Sequence, residues 1–150
     1  MKRVFLFAAI FIVSSAASLF AMDHAAMHAE DTADKRRELK LPAPMKVKQK
    51  AMMRSHLDTL SDITLALAEN RLDSAASIAR GLGWSAEEER KCSSVSDMTG
   101  EADFLTLGKA LHKKADALAA AAASGSRDKA LILLSELITN CNACHYKFRH

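Results

Sequence analysis

Beyond residue 44 apolar residues recur at three- and four-residue steps, the spacing of one helix face. Met53, Leu57, Leu60, Ile63 or Thr64, and Leu67 mark a first helix over 45–70, with Pro42 and Pro44 announcing its opening turn. Asn70-Arg71-Leu72-Asp73 reads as a turn, with Asp73 as N-cap of a shorter helix. That helix carries Ala75, Ala76, Ile78, Ala79 and Leu82 and ends at Gly81 and Gly83. Ser85-Ala86-Glu87-Glu88 has capping-box spacing and predicts a short helix through Lys91. Cys92 to Gly100 then reads as the longest connection without regular structure. Phe104, Leu107, Leu111, Ala115, Leu118 and Ala122 share the inner face of a helix over 101–123, which Ser124-Gly125-Ser126 breaks. A last helix over 127–148 repeats Leu134, Leu137, Ile138, Cys141, Cys144, His145 and Phe148 at the same steps. Three long amphipathic helices and a shorter one, joined mostly by short turns, predict an all-α fold, an antiparallel four-helix bundle. Up-down order sets the end of the last helix beside the start of the first.

The first 44 residues break this pattern. Lys2 and Arg3, the unbroken apolar run from Val4 to Val13, and small residues toward Ala21 read as a secretory signal peptide over 1–21. The run is too short to span a bilayer, and no cysteine near the cleavage region offers a lipid site. The mature chain is therefore expected to be free of the membrane and, in a bacterium, periplasmic. Residues 22–44 are polar and charged without clear periodicity, and read as a mobile N-terminal arm before a bundle domain over 45–150. His24 and His28, with Met22 and Met27 beside them, form a tract that could bind a soft metal.

Composition narrows the class further. Aromatic residues make up only 5% of the chain while alanine and leucine abound, favouring helices over sheets. The formal charge of +3 drops to +1 once Lys2 and Arg3 are removed. With neither a basic stripe nor an aromatic stacking platform, nucleic acid is not expected as a partner.

The chemistry concentrates at the C-terminus, in Cys141-Asn142-Ala143-Cys144-His145. Cys-x-x-Cys-His is the attachment signature of c-type haem. On a helix the positions i, i+3 and i+4 share a face, so both thiols and the imidazole meet one object. The thiols can form thioethers to the two vinyl groups, and His145 can bind the iron as proximal ligand. A dithiol redox site normally accompanies a βαβ pattern, which the helical periodicity does not offer. A zinc site needs two further ligands, and Cys92 has no partner at ligand spacing. The expected cofactor is one haem c, attached through Cys141 and Cys144. Cys92, left over in a serine-rich connection, reads as an exposed thiol that could link a homodimer.

With these residues the chain resembles the cytochrome c-prime class, the class II c-type cytochromes. The likeness rests on a haem motif in the last helix, followed by Phe148 and Arg149, and more softly on a first helix reading Gln49-Lys50-Ala51-Met52-Met53-Arg54-Ser55-His56-Leu57. It implies a periplasmic mono-haem bundle with His145 as proximal ligand and a basic residue, here Arg149, shaping the proximal pocket. In that class the sixth iron position lies on the first helix. An aliphatic residue there leaves a five-coordinate iron that binds nitric oxide and carbon monoxide; methionine there gives a six-coordinate electron carrier. Met53, on the apolar face, is the expected distal ligand and Met52 the second choice, since a thioether is an adequate axial ligand. His56 and His112, read as lying at the bundle flanks, are the histidine alternatives. Gln49 and Lys50, one turn before the methionines, could reach a haem propionate. The expected function is one-electron transfer with periplasmic redox proteins rather than enzymatic catalysis. The alternative is binding or sensing of nitric oxide or carbon monoxide at a five-coordinate iron.

Overall fold

The computed structural model describes residues 34–149, so the expected signal peptide and the His24/His28 tract lie outside the described residues. The fold is all-α, with five helices among the described residues and one two-residue strand at each end. In chain order these are β1 (Arg37–Glu38), α1 (Ala43–Ala68), α2 (Leu72–Gly81), α3 (Ala86–Thr99), α4 (Ala102–Ala123), α5 (Arg127–Lys147) and β2 (Phe148–Arg149). Among the described residues no helix is long and apolar enough to cross a membrane.

Helix ends follow local chemistry. Pro42 is the N-cap of α1, and its carbonyl accepts from the N–H groups of Met45 and Lys46. Asn70, at φ 56°, ends α1 in the left-handed region that asparagine tolerates. Arg71 N–H then donates to the Ala66 carbonyl and Asn70 N–H to that of Leu67, a Schellman closure. Gly125, at φ 78°, repeats this after α4, with Ser126 N–H donating to Ala121 and Gly125 N–H to Ala122. The two closures meet where Arg127 Nε donates to the Leu67 carbonyl at 2.8 Å.

Helix α4 is the central packing partner, lying against α5, α2 and α3, while α1 packs on α2 and α5. The largest buried cluster joins Ile63 and Leu67 of α1 to Leu118 of α4 and Leu134 of α5 through a bed of alanines that includes Ala75, Ala79 and Ala130. Small residues let helix backbones approach closely, so the few large side chains carry most of the burial. Leu118→Ala is expected to cost about 2–5 kcal/mol, lost transfer energy plus the cavity left behind. Urea unfolding followed by circular dichroism measures it, and a loss below 1 kcal/mol would show that the site collapses.

The structure corrects the expected pattern at four places. Cys92 to Gly100 is not an irregular connection: α3 continues through it to Thr99, because Val95 and Cys92 supply an inward face that the serines conceal. The second helix is capped by Arg71 rather than Asp73, which falls in its first turn. Leu57 is 67% exposed, because the buried face of α1 runs through Gln49, His56 and Ile63 and leaves Leu57 about 100° away. The end of the segment read as a mobile arm is packed. Arg37 and Glu38 pair in parallel with Phe148 and Arg149, while Leu39 and Leu41 are buried against Phe104, Val95 and Phe148.

Cys92 is likewise not exposed. It is 4% accessible, and a Cβ built on Gly108 of α4 would stand 2.7 Å from its Sγ. Only glycine lets α3 and α4 approach this closely there. Burial first, and then the negative charge of Glu88, push its thiol up to about 11. The expected intermolecular link through Cys92 therefore has no accessible thiol. A group whose pKa is raised by folding contributes its stability fully below the unfolded value, 9.0 here, and loses it as pH rises toward 11. Stability is expected to fall across that window with a steeper slope than in Cys92→Ala, as read from urea midpoints at successive pH values.

Candidate functional site

The last turn of α5 presents the Cys-x-x-Cys-His motif to the beginning of α1. Gln49 and Met53 of α1 line a cavity of about 260 Å³ together with Cys144, His145 and Arg149. Leu39, Phe104 and Phe148 complete its apolar wall, and Arg36 stands at its edge. Five of the sequence-read positions thus converge on one space. Met52 and Cys141 are not among its lining residues. Met52 opens instead on a separate cavity of about 820 Å³, with His56, Glu88 and His112. Gln49 is buried between the two and lines both, whereas Lys50 is exposed.

Each motif residue has a distinct setting. Cys141 is half-buried and packs against Leu82, Leu111, Ala115 and Leu137. Cys144 is half-buried beside Phe104 and Phe148. Burial raises both thiols, that of Cys144 to about 11 with help from Cys141, so both are protonated at neutral pH. No disulfide joins them. His145 is exposed at the cavity.

The chain immediately after His145 is held by the terminal strands, an element the sequence reading left out. Phe148 stacks obliquely on Phe104 at 6.0 Å between centroids, and the Arg37 guanidinium lies 5.0 Å from its ring centre. Lys147 pairs with Asp103, and Arg37 reaches Glu101 at 2.7 Å and Asp103 at 3.4 Å. The Lys147 and Arg37 cations hold the Asp103 carboxyl below the usual range. Glu38, lowered mainly by its hydrogen bond from Lys46, also faces Arg149 at 3.6 Å. Arg149 therefore serves the strand clamp as well as the cavity. The period-two alternation Glu38-Leu39-Lys40-Leu41 was the available sign of this packed segment.

The two histidines considered as distal ligands lie elsewhere. His112 is not at a flank but buried, 2% exposed, with its ring edge-on to His56 at 5.5 Å. Burial, and next the neighbouring His112, hold His56 down to about 4, so it is neutral at pH 7. Neither histidine lines the cavity that His145 and Met53 share.

Comparison of the chain with protein-family models, with curated proteins and with solved structures finds no match in any of the three.

The donor set suits a covalently held haem. Cys144, His145 and the Met53 thioether on one cavity, with the free thiol of Cys141 one turn earlier on the same helix, are the groups such a cofactor takes. Gln49 and the guanidinium groups of Arg36 and Arg149 are polar partners for its carboxylates. The apolar wall of Leu39, Phe104 and Phe148 suits its ring edge.

Proposed function

We propose that this protein is a mono-haem c-type cytochrome of the class II kind, an antiparallel four-helix bundle acting in one-electron transfer. The observation that carries the reading is that Met53 and His145, 92 positions apart in the chain, line one cavity beside the Cys-x-x-Cys motif. Haem, when bound, supplies an iron that cycles between its ferric and ferrous states. Cys141 and Cys144 hold it by thioethers, so a small protein need not enclose it. His145 and Met53 would bind its iron, and a thioether ligand would favour the reduced state. Leu39, Phe104 and Phe148 exclude water from one side, which lessens the reorganisation that accompanies a change of charge. Arg36, Arg149 and Gln49 would pair with its carboxylates. The leader-like residues 1–21 support an exported, periplasmic protein exchanging electrons with redox proteins of that compartment.

The visible spectrum of the purified protein, ferric and ferrous, with and without carbon monoxide, tests the reading. A low-spin spectrum with the weak far-red ferric band of thioether ligation, and little response to the gas, is the expected result. A high-spin spectrum with ready carbon monoxide binding would replace electron transfer by gas binding, and the absence of any haem absorption would reject both.

A further inference from the structure

Away from the Cys-x-x-Cys-His cavity, three metal-ligating side chains from three helices converge. His56 of α1, Glu88 of α3 and His112 of α4 each offer a donor atom, and these atoms lie within 4.8 Å of one another. They border the 820 Å³ cavity that Met52 and Lys91 also line. We propose that His56, Glu88 and His112 form a binding site for a divalent transition-metal ion of the zinc type, with one coordination position open to this cavity.

Hydrogen bonding prepares the donors. His112 Nδ1–H donates to the Leu82 carbonyl at 2.7 Å, since a carbonyl only accepts. In the neutral ring that bond selects the tautomer with the lone pair on Nε2, the arrangement in which a backbone carbonyl orients a metal-ligating imidazole. Nε2 faces Glu88 Oε2 at 3.5 Å. Two ligands of a tetrahedral zinc ion stand about 3.3 Å apart, so this pair is already near ligating separation.

Glu88 supplies the second line of argument. Its side chain is 17% exposed, and Oε2 is buried without a hydrogen-bond partner. The Ser85-x-x-Glu88 spacing predicted a capping box, in which the carboxylate would turn back to the helix start. Only half of that box is present: Ser85 Oγ accepts from Glu88 N–H at 3.2 Å. The carboxylate turns to Lys91, which donates to Oε1 at 2.8 Å, and leaves Oε2 aimed at His112. A buried carboxylate oxygen opposite an imidazole lone pair is costly with nothing between them, and a cation there satisfies both.

The donor types select the ion. Two imidazoles and one carboxylate suit zinc and its neighbours, whereas calcium and magnesium prefer oxygen ligands. Lys91 offsets the charge of Glu88, so affinity must come from the nitrogen donors rather than from excess negative charge. Three protein ligands leave a fourth position for water or another small donor. This site is independent of the haem reading and shares only the wall at Gln49 with that cavity.

The test is a zinc chloride titration of the full chain after chelator treatment, by calorimetry and by dialysis with elemental analysis. His56→Ala and Glu88→Gln are expected to lose one equivalent of zinc and to weaken binding by roughly 100-fold or more, the upper end of the cost of removing an outer-shell partner. His24→Ala/His28→Ala, which alters the other histidine tract, is expected to keep that equivalent. Zinc should also raise the Tm of the wild type and leave that of the two site variants unchanged, with circular dichroism confirming their fold. If wild type and both variants take up the same zinc, or the wild type takes up none, the proposal fails. The Glu88–His112 contact is then an imidazolium–carboxylate ion pair.

Discussion

Leucine in place of Met53 is expected to convert the ferric iron to five-coordinate, high-spin, and to let the ferrous protein bind carbon monoxide. Leucine has nearly the volume of methionine and Met53 is half-buried, so packing should change by less than 1.5 kcal/mol. What disappears is the thioether, which under the proposed reading would bind the iron opposite the cavity's His145. Axial ligation spans about 0.8 V of haem potential, and losing the sulfur should lower the midpoint by a clearly measurable part of that range. Met52→Leu is the matched control. Its side chain opens on the His56 cavity, so neither the spectrum nor the potential should move. Spectroelectrochemistry of the two variants separates them. An unchanged Met53→Leu spectrum would remove Met53 from the iron, and a change in Met52→Leu alone would transfer the assignment to its neighbour.

The second large effect is expected from Cys141→Ser/Cys144→Ser. Serine preserves shape at two half-buried positions, so the helices should still form, at a cost on the order of 1 kcal/mol per buried hydroxyl. Covalent haem should be lost entirely: no haem-stained band on a denaturing gel, and a denatured mass equal to that of the polypeptide alone. Thiol counting adds an independent reading. The chain has three cysteines, so a wild type with two thioethers offers only Cys92 to an alkylating reagent after denaturation and reduction. Three alkylated thiols would mean that the Cys-x-x-Cys pair serves as a dithiol instead. In the native protein Cys92 should resist the reagent, because its thiol is buried against Gly108 and held protonated.

Much of the helical order was legible because it is written in local chemistry. Pro42 and Pro44, Asn70 and Ser124-Gly125-Ser126 act through their own backbone preferences, and the structure begins α1 at the prolines and ends a helix at each of the others. The connection over Cys92–Gly100 misled because serine disfavours helix interiors only weakly, and burial of Cys92 and Val95 against α4 outweighs that preference. Leu57 misled for the opposite reason. A helix with apolar residues at both 56-side and 57-side positions can bury either stripe, and the partner surface on α2 and α5 chose the one carrying His56 and Ile63.

The same division holds for the sites. The thiols and His145 belong to five consecutive residues, so the sequence by itself determined their i, i+3, i+4 spacing on one helix. It determined the all-α class as well, through periodicity and composition. Tertiary structure alone decided which methionine shares a cavity with His145. Met52 and Met53 are adjacent, and the 100° between them sends one to each cavity only once α1 has a fixed rotation against α5. It alone tied residues 37–41 to the C-terminus, since strand pairing across more than a hundred positions leaves no local mark beyond a brief alternation. It alone brought His56, Glu88 and His112 together. Each is unremarkable on its own helix, and their chemistry arises from distances that exist only when α1, α3 and α4 are packed.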